Sequence, residues 1–407
     1  MTHRLAVAYA LVAVAACSSG KQTLGYATGT DAAAPDGAPD FADDVHLPWY
    51  GGPGYHARWP DGLPASPAYV PIGVWMQNPM NAERFADVGI NLYVGLWEGP
   101  TDEQLDGLGA AGLSTFCGQE GVWQSRLDDP AVRGWLIETS PDNAQELADG
   151  SYGPCIEPEV TQAEYAAMAE ADDSRPVMLL LGQAVADADW PGRGSCDGRD
   201  EMYFEYAEAA DVLGFYYYPV ARGRPLELMA TGVERLLEWS RDRKPVLALI
   251  EAASIDGAPR PEPQHIRALA WLALTSGAAG IAYYCHRFMP DFSETDCLED
   301  APTRAMMARI NEEIREVAPA LNSPRVSNGV TVDSEVPIVT RLARVSGATY
   351  LFAAVAANES TRARFTLRGF MDATAEVIGE HRELAIESGD FSDDFDGYGV
   401  HLYRIAH

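Results

Sequence analysis

The chain has 407 residues, room for a barrel of roughly 250 residues and a smaller second domain, and its 47% apolar and 22% charged content is that of a globular protein. Its formal charge of −31 comes from 60 acids against 29 bases, and Lys21 and Lys244 are the only lysines. So negative a chain repels nucleic acid, anionic membrane surfaces and polyanionic substrates, which leaves neutral or cationic ligands favoured.

Residues 1–17 read as a signal sequence: His3 and Arg4, an apolar run from Leu5 to Ala16, then Cys17. The run is too short for a stop-transfer helix. Val14-Ala15-Ala16-Cys17 resembles the lipobox of bacterial lipoproteins. That resemblance implies an exported protein held to the cell envelope by lipid on Cys17, with Ser18 and Ser19 pointing to the outer membrane in a Gram-negative cell; the alternative is an ordinary cleaved signal. Membrane contact is then through the lipid alone. Residues 18–45, rich in Ala, Gly, Asp, Thr and Pro, are expected to form a flexible tether. Residues 46–68 carry Trp49, Tyr50, Tyr55 and Trp59 and are expected to be an ordered lead-in packed on the barrel.

From Tyr69 an apolar run, a loop, an amphipathic helix and a short turn repeat, the alternation of a parallel sheet covered by helices. The predicted strands are Val70–Trp75, Ile90–Trp97, Leu113–Cys117, Trp135–Glu138, Pro176–Gly182, Val212–Val220, Pro245–Glu251 and Gly280–His286. Predicted helices include Ala82–Val88, one capped by Thr101 with Asp102 and Glu103 in its first turn, Thr161–Ala171, Glu201–Ala210 and Thr303–Leu321. Eight such units make an α/β fold of the (β/α)8 barrel type over residues 46–323, although an open doubly wound sheet uses the same local grammar. After Asn322-Ser323-Pro324 the helical period disappears. Short runs such as Ile338–Leu342, Thr349–Val355, Arg362–Leu367 and Val400–Ile405, separated by Gly, Asp and Ser, predict a small antiparallel β-sandwich over residues 324–407.

In such a barrel the ligand meets the C-terminal strand ends. Those positions hold Gln77, Asn78, Trp97, Glu98, Gln119, Glu120, Glu138–Asp142, Gln183, Tyr218, Glu251, Tyr284 and His286. Carboxylates, amides and aromatic rings dominate. The spacing of a metal site, a phosphate-binding Gly-rich loop and a Gly-x-Ser-x-Gly elbow are all missing, so no cofactor or metal is expected. The inventory suits a neutral glycan, whose ring faces stack on aromatics while amides and acids bond its hydroxyls.

The Gly134-Trp135 pair, Pro141-Asp142-Asn143-Ala144-Gln145, Tyr218-Pro219-Val220, Ile250-Glu251 and Asp394-Phe395 with Tyr398-Gly399-Val400-His401 resemble the retaining glycoside hydrolase clan of (β/α)8 barrels, in particular a β-galactosidase-like bacterial branch. The resemblance spans roughly residues 69–405. It implies Glu251 as the nucleophile, and an acid/base Glu directly before Pro-Asp-Asn, where this chain has Thr139-Ser140. A serine hydroxyl is no proton donor near neutral pH. Strand alternation puts Glu138 on the same side as Ser140 and about 7 Å deeper, as a substitute acid, with Glu98, Glu120 and Asp142 as more distant alternatives. Tyr216 stands where relatives often carry Asp. Ser140, Asp142, Asn143, Trp97, Gln183, Tyr218, Tyr284 and His286 are the expected sugar contacts. Two readings stay open: a hydrolase with a relocated acid, and a catalytically degenerate barrel that binds glycan or serves as a surface interaction protein.

Beyond Cys17, five cysteines remain and none forms a zinc pattern. Cys155 and Cys196 fall in loops on one face after strands four and five, and Cys285 and Cys297 flank the loop after strand eight. Both pairs are expected to form disulfides, leaving Cys117 free. The cluster Asp393, Asp394 and Asp396 is read as a solvated turn in preference to a calcium site.

Overall fold

The structure, a computed structural model, describes residues 39–49, 51–144, 147–345 and 347–407. The signal sequence, Cys17 and residues 18–38 of the expected tether lie outside the described residues. Among those described, no helix is long and apolar enough to cross a membrane.

Eight parallel strands close a barrel in sequence order: β1 (Ile72–Gln77), β2 (Leu92–Leu96), β3 (Ser114–Cys117), β4 (Val132–Ile137), β5 (Val177–Leu181), β6 (Val212–Tyr217), β7 (Val246–Glu251) and β8 (Gly280–Tyr284). Alternation along each strand sends one set of side chains inward. Leu92 and Val94, Phe116, Leu136, Met178 and Leu180, Leu247 and Leu249, and Ala282 form the interior cluster. Leu63 of the lead-in joins them at the N-terminal strand ends, beside Leu92, Phe116, Met178 and Leu247, and plugs the bottom of the barrel. Each such aliphatic side chain contributes about 1.5–3 kcal/mol by leaving water.

Gly134 shows why strand four needs its Gly-Trp pair. A Cβ there would sit 2.4 Å from the Phe116 ring, so only glycine lets that ring fill the barrel. Trp135 faces the opposite way, where its indole N–H donates to Asp172 (2.9 Å) and its ring meets Trp123 edge-on. The strand begins at Val132, three residues before the predicted start.

Two helices absent from the sequence reading, Leu228–Trp239 and Pro263–Ser276, complete the outer layer. Ten of the fourteen residues of Pro263–Ser276 are buried. One side of this helix lies on β7 and β8, and the other on the second domain, which explains its missing polar stripe. The predicted helix Thr303–Leu321 divides at Val317 into Ala301–Glu316 and Ala318–Leu321.

The second domain is a sandwich of two antiparallel sheets, with strands β9 (Val330–Asp333), β10 (Ile338–Val345), β11 (Ala348–Val355), β12 (Thr361–Leu367), β13 (Ala373–Val377), β14 (Arg382–Ile386), β15 (Asp390–Phe395) and β16 (Val400–Ala406). One sheet runs β10-β11-β16-β13-β14 and the other β15-β12-β9. Arg341 of β10 fastens the sandwich to the barrel. It is fully buried, donates to the carbonyls of Leu274 (3.1 Å) and Leu321 (2.6 Å), and lies over the Trp49 ring. Asp393 accepts from Arg382 and from the Tyr403 hydroxyl, and Asp394 pairs with Arg362.

The end of the expected tether is not tether. Asp40 donates its backbone N–H to the Gly369 carbonyl (2.9 Å), Phe41 packs on Phe370, Asp44 pairs with Arg344, and His46 bridges Val326. Residues 39–46 therefore lie along the sandwich, because Phe41 and Asp44 have specific partners there.

Candidate functional site

Both predicted disulfides are present, Cys155–Cys196 and Cys285–Cys297, with Cα separations of 5.8 and 5.0 Å. Among the described residues Cys117 is the free cysteine, and burial pushes its thiol up to about 12. The one grouping of potential metal donors among them is Cys155, Glu157 and Cys196, whose sulfurs are committed to the disulfide.

Glu251 ends β7 with its side chain toward the barrel axis, and it is fully buried. Its Oε2 accepts the backbone N–H of Val220 (3.0 Å) and its Oε1 that of Ala221 (2.9 Å), both on the turn that follows β6. Tyr218 and Tyr284, from the chain on either side of β7, approach each other to 5.0 Å between ring centroids. Burial pushes the Glu251 carboxyl up to about 7, against the opposing effect of the two amides and the Arg222 charge. A carboxylate held this way fastens the turn 218–222, with one acceptor site of each oxygen taken by a backbone N–H.

The frame of the loop after β4 is also structural. Asp142 is fully buried: its Oδ1 accepts the Gly182 N–H (2.7 Å) and its Oδ2 the Tyr203 hydroxyl (2.8 Å). Asn143 accepts from the Trp190 indole (3.2 Å). Pro-Asp-Asn thus ties the strand-four loop to the end of β5 and to the segment 190–203. Ser140 is half-buried, and burial pushes the pKa of the Tyr216 hydroxyl upward. The residue in the acid position and the residue in the strand-six position are therefore both uncharged near neutral pH.

Glu138 does not lie deep in the barrel as alternation predicts. The strand stops at Ile137, and Glu138 is exposed beside Gly118 and Glu120 in a cleft that also includes Glu164 and Met168 of the outer helix Pro158–Ala171. Partial burial, then the Glu120 charge, push its carboxyl up to about 6. Glu138 and Glu251 thus have separate surroundings and separate partners. Glu98 and Glu120 are exposed as well.

Gln183 and His286 are both buried and occupied. Gln183 accepts the Tyr218 N–H (3.2 Å). His286 receives a hydrogen bond from Gln77 Nε2 (3.0 Å); burial lowers its pKa to about 4, so the ring is neutral. Its faces remain available to neighbouring rings. Tyr216 stacks on Tyr218 (5.3 Å), Tyr218 meets Tyr284, and Tyr284 meets His286 (5.6 Å). His286 in turn meets Trp97 (5.8 Å) and stacks on Phe292 (6.2 Å). An unbroken run of rings therefore crosses the C-terminal face from β6 to the end of β2, buried at the β6 end and open at the other.

The open end includes residues that the sequence analysis did not single out. Phe288 and Phe292 stand in the loop closed by Cys285–Cys297, and the signal that marks them is an aromatic pair between two paired cysteines. Gln77, already among the strand-end candidates, lies buried beneath them and donates its Nε2 to the Glu294 carbonyl (2.8 Å).

No protein-family model and no curated protein matches the chain. Solved structures do resemble it. An α-amylase from Geobacillus thermoleovorans, complexed with acarbose, is 10% identical over 81% of this chain and 91% of that one, with a TM-score of 0.50. A GH27 β-L-arabinopyranosidase from Geobacillus stearothermophilus is 11% identical over 83% of this chain and 96% of that one, with a TM-score of 0.48. The likeness is one of fold: the chain is a (β/α)8 barrel followed by a β-sandwich, an architecture it shares with glycoside hydrolases.

Proposed function

We propose that this protein is a glycoside-hydrolase-fold lipoprotein of the bacterial envelope that binds neutral carbohydrate at the C-terminal face of its barrel without hydrolysing it. The observation that carries this reading is the state of Glu251. A retaining mechanism needs an ionised nucleophile about 5–5.5 Å from a carboxylic acid, with room for the sugar between them. Glu251 is instead sealed, raised to about 7 and bonded through both oxygens, and Ser140 takes the acid's place. The run of aromatic rings supports the carbohydrate half of the reading, because such faces stack on the C–H faces of sugar rings. The resemblance to the retaining, β-galactosidase-like branch agrees with the Gly134-Trp135 and Pro141-Asp142-Asn143 frames, whose parts here do structural work.

Export is supported by two disulfides, which persist in oxidising compartments. In this reading Cys17 is the lipidated residue, and Cys17→Ser is expected to move the protein from the membrane fraction to the soluble one.

Aryl glycosides test the central claim, since an activated leaving group departs with little protonation. The wild type is expected to release no aglycone from a panel of them, and Ser140→Glu to create no activity while Glu251 stays sealed. Turnover that Glu251→Gln abolishes would overturn the non-hydrolytic reading in favour of a hydrolase with Glu251 as nucleophile.

A further inference from the structure

We propose that the ligand is an extended, uncharged glycan chain laid across the rim formed by Trp97, Phe288 and Phe292, over the cleft beside Trp97, and not a single sugar seated on the barrel axis at Glu251. This rests on the carbohydrate reading above and gives it a place and a ligand class.

Large apolar side chains in mutual contact are exposed here. Trp97 is 37% exposed, Phe288 50% and Phe292 54%. Phe292 lies 6.2 Å from Trp97 and 5.4 Å from Phe288, and the half of the rim that faces the protein rests on the buried His286 ring. Apolar surface gathered this way at a strand-end face marks a contact surface. Beside it, a cleft of about 400 Å³ between the loops after β1 and β2 is lined by Trp97 and Met80 together with Asn78, Thr101 and Gln104. Ring faces next to amides and hydroxyls match the two sides of a sugar. Trp97 on the loop after β2 and Phe292 on the loop after β8 present two neighbouring ring faces, which match a chain of at least two sugar rings.

The rim is pre-built. The Cys285–Cys297 bridge closes its loop, Arg287 and Ser293 pair across it, and Arg287 donates to Asp296 (2.8 Å). On the other side, Met76 and Glu98 hold left-handed backbone at φ 48° and 55°, at the neighbouring ends of β1 and β2. Non-glycine residues held so concentrate where a ligand is met. Beneath the rim, fully buried Gln77 has an Oε1 without a hydrogen-bond partner.

Charge selects among glycans. Glu98 and Glu103 line the cleft and Asp291 stands exposed on the aromatic loop, in a chain of net charge −31. Uronate-bearing or sulfated chains are repelled.

Affinity electrophoresis through gels cast with galactomannan, arabinogalactan, mixed-linkage β-glucan or carboxymethyl cellulose tests the proposal on the full chain. At least one uncharged polysaccharide is expected to retard the wild type, and the carboxymethylated one is not. Trp97→Ala and Phe292→Ala are expected to weaken that retardation roughly tenfold or more, with thermal midpoints lowered by no more than a few degrees because both side chains are over a third exposed. Met371→Ala, an exposed apolar side chain on the sandwich, is the control and is expected to be retarded like wild type. If the wild type is retarded and both rim variants match it, the rim is not the site, while the carbohydrate reading stands. Retardation confined to the anionic polysaccharide overturns the uncharged class. Absence of retardation in every gel overturns the carbohydrate reading and this proposal with it.

Discussion

The ends of β7 and β2 face the same side of the barrel and have been put to opposite use. At the end of β7 a carboxylate is buried under tyrosines, with both oxygens bonded to backbone amides; at the end of β2 the Trp97 indole, with Phe288 and Phe292 of the loop after β8 beside it, is partly open to solvent. In the non-hydrolytic reading proposed above, the charged group holds a turn and the uncharged surface is left free to bind. A strand-end carboxylate in this fold is therefore not evidence of catalysis until its oxygens are accounted for.

The largest test of that contrast compares stability costs on the two sides. Asp142→Ala removes the acceptor of a buried N–H and a buried hydroxyl, and is expected to lower unfolding free energy by about 4 kcal/mol in a denaturant titration. Trp97→Ala should change it by about 1 kcal/mol, because the ring is only partly covered by His286 and Phe292. Equal losses would mean that the β2 end is also structural, and the contrast would collapse.

Glu251 allows a sharper test through pH. Its folded pKa is raised from 4.5 to about 7, so between those values the native state holds a proton that the unfolded chain releases. Stability contributed by this group is thus highest at low pH and falls as pH rises towards 7. Above 7 the buried charge costs a constant amount, about 3 kcal/mol from the size of the shift. Glu251→Gln cannot titrate, so its stability relative to wild type is expected to improve by about that amount from pH 4.5 to pH 8. A difference that stays flat across this range would show a Glu251 already ionised, and hence a carboxylate fit to attack.

The Cys285–Cys297 bridge connects stability to the open side. Replacing both cysteines with serine is expected to cost roughly 2–3 kcal/mol by the loop-entropy argument for a short loop. If the rim is pre-built by the bridge, the same variant loses polysaccharide retardation at temperatures where it remains folded. The Cys155–Cys196 bridge lies outside the rim, and its removal should cost stability while leaving retardation unchanged.

The barrel was legible because its signal is periodic. Runs such as Val246–Glu251 and Val177–Leu181 are apolar throughout, and the breaks between them are marked by Gly, Pro and capping residues such as Thr101, which caps its helix together with Gln104. The helix Pro263–Ser276 was not legible, since burial on two sides erases the polar stripe. Four sandwich strands, β9, β13, β14 and β15, were missed because their outward positions carry charges in a rim of short strands. At the barrel mouth, the strand ends name polar residues but not their partners. Glu251, Asp142, Gln183 and His286 were visible as polar groups at the mouth, but their bonds are made to partners 30 to 209 residues away. Periodicity has no access to such contacts. Trp97 was visible, whereas Phe288 and Phe292 acquire meaning only when the loop folds back over His286.

The smallest expected effect concerns the carboxylates at the rim. Glu98 and Glu103 are exposed and line the cleft, so they bear on a ligand only if it carries charge. For an uncharged chain, Glu98→Gln with Glu103→Gln should shift affinity by less than about twofold, since exposed charges in water contribute little to contacts with neutral groups. Retardation should also stay constant from low to high salt, where screening would weaken any pairing of these groups with a cationic sugar. A clear loss in the double variant, growing as salt falls, would reassign the ligand to an amine-bearing glycan and turn the acidic surface from a filter into a contact.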